Sequence, residues 1–512
     1  MKVISTSHVG PDDISPSERE WVYNGLDCVI TREVLDVLLP QLDNQTSGTY
    51  SFSRDLQAPI LEMRCRGVLI DQARRAEVID LYFNQLDRLE EQLNRIVGEG
   101  LGLWQFNWRS NKDLHLLFYD HLGLPPIRRD GRPTVNREAL EKLESYFSAR
   151  LIVAHMLVMR DMQKKISMLK TEIDSDGRMR TSYNIAGTTT GRLSSSFSEF
   201  GTGTNLQNIE ESLRSVFVAD LGYKLAYLDA EQGESRVVGA IEGNLFDDWR
   251  YLDACEGGDL HTSVAKLVWP DLGWSGNLAQ DRKLAEQPYY RHYDRRFMCK
   301  KIGHGTNYGG KPRTLAAQAK VEIGLVEDFQ PPYFRAFPAH LRWHARVDRT
   351  LREDGFLTTL TGRKRWFFGR RNDDSTLREA IAYDPQGSLA DILNRGMLQV
   401  WGHGVCILLM QIHDAILIQY PEEREDEVIP IVLKLLRVPI LLDSGREFTI
   451  PYGVSTGWNW SKYCCGNKNN PGCEQCKGEP NPDGLKTYRG NDQRKRTPQV
   501  PILDRSLRKA HR

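Results

Sequence analysis

Residues 408–421, LLMQIHDAILIQYP, decide the fold because they place a polar His-Asp pair between two apolar runs. Each run is short and rich in branched apolar residues, which is typical of a buried β-strand. A carboxylate such as that of Asp414 is costly in such surroundings unless another group compensates for its charge. The stretch therefore predicts a β-hairpin that carries a functional carboxylate.

A second stretch of the same type, LAYLDAEQ at residues 225–232, also leads from a buried strand into a carboxylate, that of Asp229. If the two strands lie side by side, Asp229 and Asp414 come together, and like charges at short range raise one pKa or require a cation. Two divalent ions about 3.5–4 Å apart use such a pair in phosphoryl transfer, and Mg²⁺ binds through one or two carboxylates plus substrate phosphates. The alternative is that the two aspartates cap unrelated turns.

A third stretch, RRFMCKKIGHGTNYGG at residues 295–310, repeats cationic and aromatic side chains at intervals of four. Residues four apart share one face of a helix, so Arg296 and Lys300 would lie in line with His304 and Tyr308. Cations suit a triphosphate, and rings suit stacking on a sugar and a base. The alternative is the solvated basic face of an ordinary helix.

The overall composition indicates a globular chain of several domains without a general affinity for polyanions. Its 512 residues include 68 basic and 68 acidic side chains, so any nucleic-acid-binding groove must be basic only locally. No apolar run reaches the roughly 18 residues that cross a bilayer, and the start, MKVISTSHVGPDD, lacks a signal sequence. We therefore expect a cytoplasmic protein without a membrane partner.

Apolar periodicity predicts a largely helical first third and a mixed remainder. Helices are expected at residues 17–41, 50–98 (interrupted near Gly67), 136–171, 259–355 (with interruptions) and 376–402. The Thr-, Ser- and Gly-rich segment after residue 172 favours turns and short strands. The polar tail from residue 461 has the composition of a disordered, basic segment.

Together these stretches resemble the signature motifs of the family A DNA polymerases, the bacterial polymerase I group and its phage relatives. DAEQGESR, RRFMCKKIGHGTNYG and QIHDA are similar to the family's Asp-x-x-Gln-x-Glu-x-Arg, Arg-x3-Lys-x3-aromatic-Gly-x2-Tyr-Gly and Gln-Val-His-Asp-Glu, and they occur in the family's order. TTTGRLSSS, TNLQNIEESLRSVF, GGDLHTSVA, DGFLTTLTGRKR and DPQGSLADILNRGM match as well. Independent motifs in the right order make the resemblance specific over about residues 50–463.

The resemblance implies a mixed α/β fold of the right-hand type, with palm, thumb and fingers, in which the palm is built on an antiparallel sheet. The corresponding division of the chain is 1–45 (remnant of an exonuclease-like domain or docking helix), 46–180 (start of the palm and helical thumb), 181–250 (palm with the first metal aspartate), 251–375 (fingers), 376–463 (palm with the second metal aspartate) and 464–512 (basic tail containing Cys).

The resemblance also implies roles for individual side chains. Asp229 and Asp414 would hold two Mg²⁺ ions, and Lys300 would also donate a proton to the departing pyrophosphate. The residues that would bind the incoming deoxynucleoside triphosphate are Arg296, Lys300, His304, Tyr308, His261, Gln232, Glu234 and Arg214, with Glu234 excluding a ribose 2′-hydroxyl. The residues that would contact primer and template are Arg192, Asn205, Gln207, Asn208, Arg378, Gln386 and His413.

The sequence departs from the family's motifs at three positions. Ala415 stands where Glu is usual, and because that residue is auxiliary, activity is still expected. His304 stands where Phe or Tyr is usual, so discrimination against dideoxynucleotides cannot be transferred. AYDPQG replaces the usual NAPxQG, which affects only Ala382. These departures suggest a phage or another mobile element, with activity in the host cytoplasm.

The amino-terminal segment raises a separate question about proofreading. YNGLD, with Tyr23 and Asp27, is similar to the last motif of the 3′–5′ exonuclease domain, but the two upstream acidic motifs are absent. Because a metal site needs its full ligand set, we expect a helix that packs on the polymerase body. The alternative is a split enzyme in which a separate exonuclease subunit docks on residues 1–45.

Four cysteines lie close together in the tail segment CCGNKNNPGCEQCKG, at Cys464, Cys465, Cys473 and Cys476. Their spacing is tighter than that of usual zinc ribbons, and the adjacent pair is awkward for tetrahedral geometry. We expect a disordered tail whose cations contact DNA nonspecifically; a Zn²⁺ site is the alternative. The other five cysteines (Cys28, Cys65, Cys255, Cys299, Cys406) are interpreted as buried thiols.

The sequence as a whole predicts a DNA-templated DNA polymerase that extends a primer 3′-hydroxyl by two-metal phosphoryl transfer, without intrinsic proofreading. Its partners would be primer-template DNA and dNTPs. A single-subunit RNA polymerase is one alternative, against which Glu234 and TGRLSS argue. A non-catalytic DNA-binding relative is another, against which the presence of Asp229, Lys300 and Asp414 argues.

Overall fold

The centre of the molecule is a five-stranded antiparallel sheet. The computed structural model describes residues 15–290, 293–466, 480–490 and 494–496. The strands of the sheet are β1 (Tyr223–Ala230), β2 (Ile407–Ile412), β3 (Ala415–Pro421), β4 (Tyr452–Gly457) and β5 (Lys486–Thr487), in the spatial order β2-β3-β1-β4-β5. All neighbouring strands run antiparallel. The predicted antiparallel palm sheet is confirmed.

Strands β2 and β3 are buried almost throughout, as their continuous apolar sequences predict. Successive side chains of a strand point to opposite faces, and each face here has its own apolar cluster. Ile416 and Ile418 pack in the larger cluster with the helices Gly233–Phe246 and Asp374–His403, while Leu417 packs in a smaller cluster on the other face. The sheet is therefore a rigid support for whatever lies at its strand ends.

Two long helices form a separate helical region before the sheet. Gln72–Leu101 runs along Phe147–Lys170, and the two helices bury an apolar core of their own that includes Leu93 and Met156. The other helices of this part of the chain are Pro16–Leu38, Asn44–Asp55, Gln57–Arg66, Asn111–His115 and Arg137–Leu143. This region therefore has an apolar core separate from the clusters on the two faces of the central sheet.

A third region between β1 and β2 is also mainly helical. Its helices are Gly233–Phe246, Arg250–Glu256, Leu260–Val268, Leu278–Ala285, Arg295–Met298, His304–Asn307, Pro312–Ala319, Ile323–Ala336, Ala339–Glu353 and Asp374–His403. The last helix after the sheet hairpin is Glu425–Leu436. Small antiparallel sheets complete the fold. One has three strands, Arg178–Met179, Val68–Ile70 and Phe217–Val218, with Val68–Ile70 in the middle. The others are strand pairs: Arg128–Arg129 with Arg132–Pro133, Ser182–Asn184 with Ser194–Ser196, Pro288–Tyr290 with Tyr293–Asp294, Phe356–Thr358 with Lys364–Trp366, and Ile440–Leu441 with Glu447–Phe448.

The amino-terminal helix Pro16–Leu38 begins at Ser15, whose side chain and Glu18 form a reciprocal capping box. We expected this helix to pack on the body, yet Trp21 and Tyr23 are 80% and 66% exposed. Its apolar residues are spread around more than half of the helix circumference, so no single stripe specifies a packing partner. The expected packing is therefore not observed.

The tail differs from the disorder expected after residue 461. In β5, Thr487 and Lys486 pair with Ser455 and Thr456 of β4. Arg494 donates hydrogen bonds to the carbonyls of Gly484 at 2.8 Å and Thr456 at 2.7 Å. The reason is that an open sheet edge offers unpaired backbone groups, which a polar segment can satisfy without apolar side chains. No helix among the described residues is both long and apolar enough to cross a membrane.

Candidate active site

The two strand-end aspartates meet at one end of the central sheet. Asp229, in β1, lies opposite Ala415 of β3 in the register of the sheet. The N–H of Ala230 donates a hydrogen bond to the carbonyl of Asp414 at 3.0 Å. Asp414 itself lies in the turn between β2 and β3, after His413 in the left-handed conformation (φ 52°). Antiparallel pairing of two strands distant in sequence thus brings both carboxylates to the rim of one cavity.

Electrostatics at this rim favour a bound cation. The pKa of Asp229 is raised to about 6. Burial is the largest cause, and the negative charges of Asp414 and Glu231 add to it. Burial also raises the pKa of Asp414, although the nearby Arg192 lowers it. The Asp229 side chain nevertheless stays accessible from the cavity. Neighbouring carboxylates that are desolvated yet accessible are the donor set that a divalent cation would stabilise.

The donor set fits Mg²⁺ better than a metal held entirely by protein. Within the described residues no cluster of three or more His, Cys, Asp or Glu side chains has metal-binding geometry. Asp229 and Asp414 would therefore supply two carboxylates, and water and substrate phosphates would complete the coordination, as Mg²⁺ prefers. Ala415 offers no further oxygen.

Glu234 is the centre of a polar wall beside the aspartates. Its carboxylate accepts hydrogen bonds from Arg192 and from the hydroxyl of Tyr308. His304 Nε2 lies 3.7 Å from Glu234, and the His304 ring packs edge-on against Tyr308 with 5.2 Å between ring centroids. Arg192 also reaches Asp414, with 3.3 Å between Nη2 and Oδ1. One arginine thus links this wall to the carboxylates.

The helical stretch of residues 295–307, here called the cation helix, contributes another part of the cavity lining. It begins at Asp294, whose side chain accepts the N–H of Phe297 at 2.6 Å. Between Cys299 and Gly303 it has a π-helical turn, which the sequence did not predict. Such turns occur frequently at functional sites. A Cβ on Gly305 would lie 2.3 Å from Leu315 Cδ2, so glycine permits the close packing of the helix here.

Cations and neutral polar groups face the cavity, whose volume is about 440 Å³. The lining includes Asp229, Gln232, Glu234, Ser235, His261, Cys299, Lys300, Lys301, His304 and Asp414. Arg296 is paired with Asp259, with 2.9 Å between Nε and Oδ2. Burial, then the charge of Arg296, lowers the pKa of His261 to about 4, which keeps this imidazole neutral at pH 7.

Two buried polar atoms at the cavity have no hydrogen-bond partner within the described part of the chain. They are Nδ1 of His261 and Oε1 of Gln232. Gln232 adopts the left-handed conformation (φ 55°) in the sharp turn between β1 and the helix Gly233–Phe246. Because buried polar atoms in folded proteins are normally satisfied, both atoms indicate a polar ligand.

Arg214, like Arg296 and Tyr308, is a predicted nucleotide-binding residue that is absent from the cavity lining. Its guanidinium lies over the Trp460 ring, 4.4 Å from the ring centroid, and does not line the cavity. Its positive charge lowers the pKa of Asp229. Arg214 therefore acts on the site through the field that it creates at the carboxylate.

The residues predicted to contact primer and template differ in their exposure to solvent. Asn208, Arg378 and His413 are exposed, and Arg192, Asn205 and Gln386 are half-buried. Gln207 is buried and donates to the side chain of Gln411 at 2.8 Å. Gln411 in turn donates to the carbonyl of His413 at 2.5 Å. Gln207 is thus placed to hold the hairpin turn, a role that the sequence did not predict.

Several residues near the site were missed or lie beyond the described chain. Asp259 was missed, although its place in GGDLHTSVA just before a helix marks it as a cap; it accepts Thr262 and Arg296. Asp384, beside the altered Ala382, accepts the N–H of Leu360 at 2.8 Å, and burial raises its pKa to about 6.

Of the predicted zinc ligands, Cys464 is buried and Cys465 half-buried, while Cys473 and Cys476 lie outside the described residues.

Comparison with known proteins finds similar DNA polymerases. The chain is 28% identical over 455 residues to the thermostable DNA polymerase I of Thermus filiformis, covering 84% of this chain and 50% of that protein. It is also 28% identical over 462 residues to DNA polymerase I of Caldicellulosiruptor bescii, covering 84% and 49%. The chain thus spans about half the length of these relatives.

A solved structure shares the fold. It is the POL domain of Pol1 from M. smegmatis in complex with DNA primer-template and dNTP, with a TM-score of 0.60 and 24% identity over 79% of this chain and 69% of that one. The sequence profile of DNA polymerase family A matches residues 76–462, which include both aspartates and the cation helix. The chain therefore belongs to DNA polymerase family A.

Proposed function

We propose that this chain is a DNA-templated DNA polymerase that extends a primer 3′-hydroxyl with dNTPs. The observation that carries the proposal is that Asp229 and Asp414 line one cavity together with Lys300 and His261. Paired carboxylates and a cation in one cavity suit an anionic substrate that must be held while charge builds up on it.

We assign a role in this reaction to each charged or polar group at the cavity. Lys300 would bind the triphosphate and donate a proton to the leaving pyrophosphate, while Arg296, held by Asp259, would bind the same phosphates. His261, neutral at pH 7, would donate one hydrogen bond to a phosphate oxygen. Two Mg²⁺ ions held by Asp229 and Asp414 would lower the pKa of the primer hydroxyl and neutralise the developing charge.

The sugar and base would be selected on the polar wall. Glu234, fixed by Arg192 and Tyr308, would occupy the space that a ribose 2′-hydroxyl requires. The ring of Tyr308 would stack at the insertion site. Asn208, Arg378 and His413 would contact the backbone and minor groove of primer and template, a mode of contact that tolerates any sequence.

The division of the chain follows from this assignment. We assign residues 46–180 to the start of the palm and the thumb, 181–250 and 376–463 to the palm, and 251–375 to the fingers. Residues 1–45, including the exposed helix Pro16–Leu38, would form a docking element or a remnant of an exonuclease-like domain. On this assignment the chain itself lacks proofreading activity.

A primer-extension assay tests the proposal. The purified chain is given a primer-template, each dNTP or each rNTP, and Mg²⁺ or EDTA. We expect Mg²⁺-dependent, template-directed addition of dNTPs, which Asp414→Ala abolishes. Preferred use of rNTPs would identify an RNA polymerase instead. Extension by Asp414→Ala would show that the reaction takes place elsewhere. Removal of a mismatched 3′-nucleotide without added protein would contradict the absence of proofreading.

A further inference from the structure

The carboxyl end of the cation helix is held by a buried polar network that none of the predicted roles accounts for. Asn307, the last residue of the helix, is 1% exposed. Its Nδ2 donates to the hydroxyl of Tyr251 at 2.7 Å, and its Oδ1 accepts the hydroxyl of Tyr333 at 2.6 Å. Its carbonyl accepts Nε2 of His344 at 2.7 Å. Three polar atoms of one residue are thus held by three different helices.

The network continues to the helix that follows the first metal aspartate. Tyr333 Oη lies 3.4 Å from Nε2 of His340, and the Nδ1 of His340 donates to Glu242. His340 and Glu242 are 0% and 1% exposed. Glu242 lies in the helix Gly233–Phe246, which starts four residues after Asp229. A chain of hydrogen-bonding side chains therefore connects the cation helix to the support of the carboxylates.

The same two helices are linked a second time at the cavity. Glu234, in the first turn of Gly233–Phe246, accepts the hydroxyl of Tyr308, the residue after Asn307. Two links, one buried and one at the cavity, fix both the position and the rotation of the helix end.

We infer that Asn307 and Tyr333 are positioning residues, which set the orientation of the cation helix and hence the reach of Lys300 and His304 into the cavity. The inference rests on the proposed polymerase function. A buried amide held by two hydroxyls is a directional contact, and an apolar side chain of the same size would fill the space without fixing the rotation. Both residues are buried and neither lines the cavity.

The chain offers a matched control for a variant of this network. Tyr420 is 0% exposed, like Tyr333, and its hydroxyl donates to Glu425 at 2.9 Å. It lies in β3, near the strand end opposite Asp414. Tyr333→Phe and Tyr420→Phe each remove one buried, hydrogen-bonded hydroxyl, so general destabilisation would affect both variants alike.

The test combines hydrogen exchange of residues 295–308 in the full chain with nucleotide-incorporation kinetics. We expect Tyr333→Phe and Asn307→Leu to exchange faster in this segment and to raise KM for the incoming dNTP about fivefold to tenfold, with a smaller change in kcat. Tyr420→Phe should change neither quantity. Unchanged exchange, unchanged KM, or equal effects of Tyr420→Phe would each overturn the inference.

Failure of the proposed function gives a different result. If the unmodified chain adds no nucleotide, the polymerase assignment fails. The exchange comparison then decides alone whether Asn307 and Tyr333 hold the cation helix: faster exchange in their variants only supports this, and unchanged exchange overturns it.

Discussion

Asp229 and Ala415 face each other across β1 and β3, and the residue before Ala415 is the second carboxylate, Asp414. The sheet register therefore brings the two carboxylates to the same end of the sheet. A third carboxylate at position 415 would crowd this rim further. With alanine there, the two aspartates carry the site's negative charge together with the neighbouring Glu231.

Replacing either aspartate should abolish activity without unfolding the protein. We expect Asp229→Asn and Asp414→Asn each to lower primer extension by about a hundredfold or more, because the charge that holds the cations is lost. The melting temperature without divalent ions should not fall, because substitution relieves like-charge repulsion. Asp271→Asn, which changes an exposed carboxylate that does not line the cavity, is the control and should retain most activity. A comparable loss of primer extension in this control variant would show that the metal ions bind elsewhere.

The stabilisation produced by divalent ions should depend on pH. Asp229 has a pKa raised to about 6, above the value near 3.9 expected of an unfolded chain. Its contribution to stability is therefore complete below about pH 3.9 and is lost as pH rises through 6. Mg²⁺ competes with the proton for this carboxylate, so it should raise the melting temperature at pH 8 and much less at pH 5. An equal shift at both pH values in thermal unfolding would contradict this site assignment.

Selection of the sugar should depend on Glu234. Glu234→Ala opens the space beside Tyr308, so the ratio of kcat/KM for dNTP over rNTP should fall by at least about tenfold. Tyr308→Phe, which keeps the ring and removes the hydroxyl that Glu234 accepts, should give a smaller fall. If Glu234→Ala keeps the sugar preference of the unmodified chain, another residue excludes the ribose 2′-hydroxyl.

Binding of the triphosphate should depend on Lys300. Lys300→Ala should reduce kcat/KM for every dNTP by about a hundredfold, because a charge-assisted contact to the phosphates is lost. Arg313→Ala removes an exposed cation of the next helix, Pro312–Ala319, and serves as the control. Equal loss in both variants would indicate general charge attraction.

The returning tail should contribute to stability but not to substrate binding. Arg494→Ala loses hydrogen bonds to the carbonyls of Thr456 and Gly484, which we expect to cost about 1–2 kcal/mol of unfolding free energy. Lys495→Ala, an exposed neighbour, should leave the free energy of unfolding unchanged in denaturant titration. A raised KM for primer-template in Arg494→Ala would instead place the tail in the DNA path.

The hairpin and the strand that carries Asp229 could be predicted because their signal is local: a short apolar run followed by a charged residue. The π-helical turn at Cys299–Gly303 could not, because its extra residue per turn is accommodated by the packing of neighbouring helices. The network around Asn307 was missed for the same reason, since its partners come from three helices distant in sequence. The composition of the tail suggested disorder, because composition carries no information about backbone pairing with a sheet edge.

The two metal-binding candidates belong to strands that are adjacent in space but separated in the chain by the whole helical insertion between β1 and β2. On the proposed function, neither strand alone would supply both carboxylates of the site. Nucleotide addition would begin only after the insertion has folded and β3 has paired with β1. Turnover would then report that the polypeptide has reached its final topology.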